Sequence, residues 1–251
     1  MLKTYQVNVD TSSMQTTGGG QGNPQNFVTK TGGNPFQCKV LLGNRHRAVK
    51  SIALKNMQMP IGFYNIRAPY NTLVISGVTY TVSPGNYTGT NFINVLNNTI
   101  TNAVGTFSVN SATNIIQFVS NSGTATITTT SSGPYPSLGT LLGFTNGQSG
   151  ITINAVNSYI VNFDTYVNVW IENLGQNSLE PTQVTYKIPI TVANGSIMHW
   201  LENTQHEQVV MVTDNAARVD RLNITVLDRW GNIINNNGLD WSFTLELKSE
   251  N

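Results

Sequence analysis

Residues 240–248 set Trp241, Phe243, Leu245 and Leu247 against Ser242, Thr244, Glu246 and Lys248. Side chains of an extended chain point alternately to opposite faces, so this pattern describes a strand with one buried and one wet face. The same alternation recurs along the chain. Ile52 and Leu54, then Met57, Met59 and Ile61, carry it early; Tyr159, Val161 and Phe163, then Val167, Val169 and Ile171, carry it later. Val184, Tyr186, Ile188 and Ile190 follow, and "RVDRLNITVLD" precedes the closing strand. Short strands about 10–16 residues apart, with turn residues between them, predict an all-β chain: an antiparallel β-sandwich of the jelly-roll kind.

Residues 71–150 depart from this rhythm. "TLVIS-GVTYTV" reads as a hairpin around Ser76-Gly77. "TGTNFINVLNNTITNAV" places Phe92, Val95, Leu96, Ile100 and Val104 on one helical face, with Thr88 or Thr90 as its cap. Alternating strands follow, and "PSLGTLLGF" closes the segment on Leu138, Leu141, Leu142 and Phe144. The predicted organisation is a flexible N-terminal arm over residues 1–35, a jelly-roll domain over 36–70 and 151–251, and a small α+β insert over 71–150, separable and projecting. The arm is too rich in Gly, Gln, Ser and Thr to bury anything, yet it opens on Tyr5, Val7 and Val9 in strand alternation. Those three residues are the candidate assembly contact, a short strand on a tether that pairs with another subunit or with the shell beneath; the alternative is a frayed terminus. At its end, "DRWGN" and "NNNG" read as two turns, with Trp230 and Trp241 covering the end of a sheet.

Chemistry is hard to find in this sequence. His46, His199 and His206 lack a second ligand at a metal-binding spacing. Asp164, Glu172, Asp214 and Asp220 lie in or near strands. They serve either as strand-end partners of Arg218, Arg221 and Arg229 or, if two of them meet, as an acid/base pair. Tyr64, Tyr70, Trp170 and Trp200 belong either to core and interface or to a sugar-stacking surface. No nucleophile elbow, phosphate loop or paired-acid motif occurs, so no catalytic, metal or cofactor residue is assigned. Cys38, the one cysteine, reads as a small buried hydrophobe. The Asn-x-Ser/Thr triplets at Asn86, Asn97, Asn194 and Asn223 reflect composition in a chain that begins without a leader and is expected to be made in a cytosolic compartment. No apolar run is long enough to span a membrane.

Charged residues are only 10% of the chain, against roughly 25% in ordinary soluble domains. A surface of amides and hydroxyls is cheaper to desolvate than one of Lys and Glu, which suits burial against neighbours. A net charge of +1 without a Lys/Arg run argues against nucleic acid as the main partner.

Several stretches, taken in order, resemble a known family. "IALKNMQMPIGFYNI", "YTVSPGNYTGTNFINVLNNTI" with the later "LGTLLGF", "KIPITVANGSIMHWLENTQHEQV" and "ITVLDRWGNIINNNGLDWSFTLEL" are similar to the small jelly-roll capsid proteins of virophages, polinton-like viruses and larger relatives. The turn from Asp228 to Gly231 and the stretch from Asn237 to Trp241 match the way those proteins close. The resemblance covers residues 36–251. It implies a non-enzymatic structural protein of the virion capsid, assembled inside the host cell. Its place would be the penton, a homopentamer anchored to the shell. Its partners would be copies of itself, the major capsid protein and a minor capsid or spike protein, with no cofactor. The alternative is a minor capsid or spike protein whose β-sandwich head binds glycans.

Overall fold

The computed structural model describes residues 2–12, 26–47, 49–130, 135–172, 184–202, 209–211 and 218–250. The chain divides into two compact units, residues 1–63 with 164–251, and residues 64–163. In chain order the strands are β1 (Leu2–Asp10), β2 (Asn26–Thr31), β3 (Asn34–Arg47) and β4 (Val49–Pro60). The second unit then contributes β5 (Thr72–Ile75), β6 (Val78–Thr81), α1 (Gly89–Ile100), β7 (Gly105–Asn110), β8 (Ile115–Ser120), β9 (Ala125–Thr128), α2 (Leu138–Leu141), β10 (Gln148–Gly150) and β11 (Thr152–Asn154). The first unit resumes with β12 (Tyr166–Glu172), β13 (Val184–Pro189), β14 (Ile197–Leu201), β15 (Val209–Met211), β16 (Arg218–Leu227) and β17 (Ser242–Glu250).

The first unit is one long hairpin rolled up. Its antiparallel pairs are nested: β1 with β17, β3 with β16, β4 with β14, and β12 with β13. Two further pairings, β17 with β4 and β16 with β12, join the nested pairs into sheets. The first sheet runs β1-β17-β4-β14, with β15 also on β4, and the second β13-β12-β16-β3-β2. Two antiparallel sheets with this nesting are an antiparallel jelly-roll β-sandwich. The period-two pattern is met along β12, where Val167, Val169 and Ile171 are buried and their neighbours only half-buried. One core holds both inner faces, including Phe36, Leu54, Met57, Ile171, Tyr186, Leu222, Phe243 and Leu245. Tyr186 also donates to the Ile52 carbonyl at 2.9 Å, tying β13 of one sheet to β4 of the other. Cys38 sits in this core at 3% exposure, and burial pushes its thiol up to about 12.

Leu2–Asp10 and Asn26–Thr31, both within the expected arm, are strands of the first unit. Leu2 to Asp10 pair continuously with Glu250 back to Ser242. The sequence shows the alternation of Tyr5, Val7 and Val9 but not its partner, which lies more than 200 residues away. Tyr5 is opposite Leu247, Val7 opposite Leu245 and Val9 opposite Phe243, so the partner is this chain's own last strand. Val7 and Val9 are buried in the core, and Tyr5 remains 37% exposed. Asn26–Thr31 form a further strand on β3.

The second unit spans residues 64–163, wider at both ends than the periodicity of 71–150 indicates. Side-chain amides set the near boundary: Asn65 accepts from the Tyr87 amide, donates to the Tyr87 carbonyl, and donates to Asn162. Two small sheets, β10-β9-β5-β6 and β11-β8-β7, carry α1 and α2. Ser76 and Gly77, with φ of 50° and 81°, turn the β5–β6 hairpin in the left-handed sense such turns need. Helix α1 buries Phe92, Ile93, Leu96 and Ile100. Val95 is only half-buried, Val104 lies beyond the helix, and the Thr88 side chain makes no capping bond. Leu138, Leu142 and Phe144 are buried and Leu141 half-buried.

Candidate functional site

The polar turn before the last strand is a corner. Asp228 is fully buried, and its Oδ1 accepts from the Trp230 amide at 2.8 Å and the Asn232 amide at 2.9 Å. Asn236 is also fully buried, donates to the Pro60 and Leu239 carbonyls and accepts from the Gly62 amide. Asn237 and Gly238 carry φ of 53° and 78°, and the Leu239 amide bonds back to Asn236 at 3.0 Å, the pattern of a type I′ turn. Trp241 is core, not cover: it is 2% exposed, donates to the Pro35 carbonyl and packs edge-on to Phe36. Trp230 is half-buried beside the Arg229 guanidinium. Thr11 completes the knot, donating to Asp240, which also pairs with Lys30.

Among the described residues, Asp164 and Glu172 do not form the candidate acid pair. Asp164 precedes β12 and Glu172 ends it, so about eight residues of extended chain, roughly 26 Å, separate them. Glu172 instead accepts from Asn223 at 3.3 Å. Asp214, His206 and the side chains of His46, Arg218 and Asp220 lie outside the described residues. Among the described residues no three His, Cys, Asp or Glu side chains gather, and no helix is long and apolar enough to cross a membrane. Among the described residues, Lys55 meets Glu202 and Glu246, and Lys248 meets Glu246. Of the aromatic candidates, Tyr70 is fully buried and Trp200 packs against the core. Trp170 is half-buried and Tyr64 is 38% exposed.

Two surfaces remain. The first is the outer face of the first sheet. Strand register draws cross-strand rows there, Asp10–Ser242–Gln58–His199 and Asn8–Thr244–Asn56–Leu201. Apart from Asp10 and His199 these carry no ionisable side chain, and Thr244 donates to Asn8 at 2.9 Å. The rows end on β14, where Ile197 is 55% and Leu201 74% exposed. Among the described residues β1 forms one edge of this sheet, and β14 with β15 the other.

The second surface belongs to the second unit. Of the chain's 13 Lys and Arg, Arg67 alone lies in residues 64–163, and none of its 12 Asp and Glu does. The outer face of β11-β8-β7 carries Ser108 opposite Gln117 and Gln117 opposite Asn154. This near-absence of charge is visible in the sequence once the unit's borders are known. Whole-chain composition conceals it.

No family model matches the chain, and no curated protein matches it. Among solved structures, the crystal structure of the mavirus penton protein aligns over 99% of this chain and 100% of that chain, with a TM-score of 0.50 and 8% identity. At that identity the likeness is one of fold, and this chain shares the all-β fold of the mavirus penton protein from end to end.

Proposed function

We propose that this protein is a structural component of a viral capsid, the penton, working without catalysis as a ring of five copies anchored at the shell's vertices. The alignment over the full length of both chains carries this reading. The surface chemistry agrees with it. The rows on the first sheet offer hydroxyl and amide groups that exchange water for a neighbour at little cost, and Ile197 and Leu201 add apolar area at the edge. The partners are further copies of this chain and the major capsid protein, and the place is the virion.

The test is assembly. Five chains of 27.4 kDa should give a particle of about 137 kDa by native mass spectrometry, and the ring should enter shells reassembled with the major capsid protein. The paired substitution Ile197→Asp and Leu201→Asp should lower the mass toward the monomer without unfolding it, since both side chains already face water. A full-length protein that stays monomeric and is absent from particles overturns the reading.

A further inference from the structure

We propose that the second unit carries a binding site for an uncharged carbohydrate on the outer face of β11-β8-β7. An open depression of about 450 Å³ lies there, lined by Ser108, Asn110, Thr113, Ile115, Gln117 and Asn154 among others. That volume falls within the range of small-molecule sites and suits a short oligosaccharide better than the broad, flat contact of a protein partner.

The lining matches a sugar's needs. A hydroxyl-rich ligand requires donors and acceptors in close alternation, and amides supply both. Here they are held in place. Gln117 donates to the Asn154 carboxamide oxygen at 2.9 Å, which leaves the Gln117 carbonyl as an acceptor and the Asn154 amide as a donor toward solvent. Asn110 spends its oxygen on the Ala112 amide at 3.0 Å and keeps its NH2 group to give. Cross-strand neighbours on one face stand about 5 Å apart, comparable with the breadth of one pyranose ring. Ile115, in register with Asn110, adds an aliphatic patch for the C–H face of a sugar.

The platform is rigid before any ligand arrives. Its other face buries Phe107, Ile116, Phe118 and Ile153. Asn97 on α1 clamps the Phe107 backbone from both sides, donating to its carbonyl at 3.0 Å and accepting from its amide at 2.6 Å. Gln148 donates to the Asn154 main-chain carbonyl at 2.9 Å. Preorganised groups lose little freedom on binding. Charge decides the ligand class. Sialylated, uronic or sulfated glycans are held most strongly by charge-assisted bonds to a cation, and no Lys or Arg lines the depression. The site therefore favours neutral glycans.

The inference stands apart from the capsid reading and is tested on the isolated full-length protein. An array of neutral hexose- and N-acetylhexosamine-terminated oligosaccharides, printed beside sialylated and sulfated ones, should give signal on neutral members alone. That signal should hold between 50 mM and 500 mM NaCl. Gln117→Ala with Asn154→Ala should reduce affinity for the best neutral glycan at least tenfold by titration calorimetry, with an unchanged circular dichroism spectrum. Thr29→Ala, an exposed residue of the other unit, should leave it unchanged. Absence of binding, preference for anionic glycans, or equal affinity of the double variant each overturns the site. So does a double variant that changes only the protein's mass in solution, which would make this face a contact between copies. None of these outcomes touches entry into particles, which tests the capsid reading alone.

Discussion

Single side chains in this molecule act mostly by satisfying backbone. Asn236 holds the Pro60 and Leu239 carbonyls and the Gly62 amide at once. Asn236→Ala should cost about 1–3 kcal/mol, read as a lower urea midpoint with an unchanged slope. A midpoint equal to that of the parent would mean water replaces all three bonds. Cys38 makes a prediction of different sign. Its folded pKa lies above the unfolded value, so between about pH 9 and 12 the unfolded chain has released a proton the folded chain retains. Stability should therefore be intact below pH 9 and fall as pH rises through that window. Tyr186, raised chiefly by burial and then by Glu202, pulls the same way at higher pH. Cys38→Ala should flatten the alkaline decline between pH 9 and 11; an identical decline would assign it to other groups.

At the scale of elements, β1 is the piece whose role reverses between sequence and structure. It gives nine residues of ladder to β17 and two valines to the core, so removing residues 1–12 should destabilise the jelly roll and expose β17 as a raw edge. Guanidinium unfolding followed by tryptophan emission checks this, and a truncated protein as stable as the parent would show the strand to be dispensable. The contrast shows what a sequence can and cannot display. Alternation marks Val7 and Val9 as strand residues, because side-chain direction is a local property. It is silent on Leu245 and Phe243 as their partners, because pairing across the whole chain leaves no local trace. The helix face was legible at Phe92, Leu96 and Ile100 for the same local reason. Ile93 was missed because the face is wider than a single stripe. Leu96→Ala in α1 should cost on the order of 2–5 kcal/mol, confined to the second unit. Nor did the neutral face announce itself: Ser108, Gln117 and Asn154 become neighbours only through strand register.

For the whole molecule, the two units are spectroscopically distinct. All four tryptophans, Trp170, Trp200, Trp230 and Trp241, belong to the first unit. Emission excited at 295 nm therefore reports the jelly roll, and far-ultraviolet dichroism reports both. Replacing residues 64–163 by a short Gly/Ser linker should leave the tryptophan spectrum native, because the sheets of the first unit are complete without them. A red-shifted spectrum would show instead that the jelly roll depends on the second unit. With Arg67 as its only Asp, Glu, Lys or Arg, the second unit should also melt at nearly one temperature from pH 4 to 8 and from low to high salt. The nested pairing has a consequence in time. β17 lies between β1 and β4 in the first sheet, yet it leaves the ribosome after every other described strand. β1, made before them all, must wait for it with its ladder unmet. Loops that long must close before the reward of pairing arrives, so maturation should be slow and largely post-translational. Through that interval the chain needs shelter from its own copies, whose unmatched strands are identical to its own.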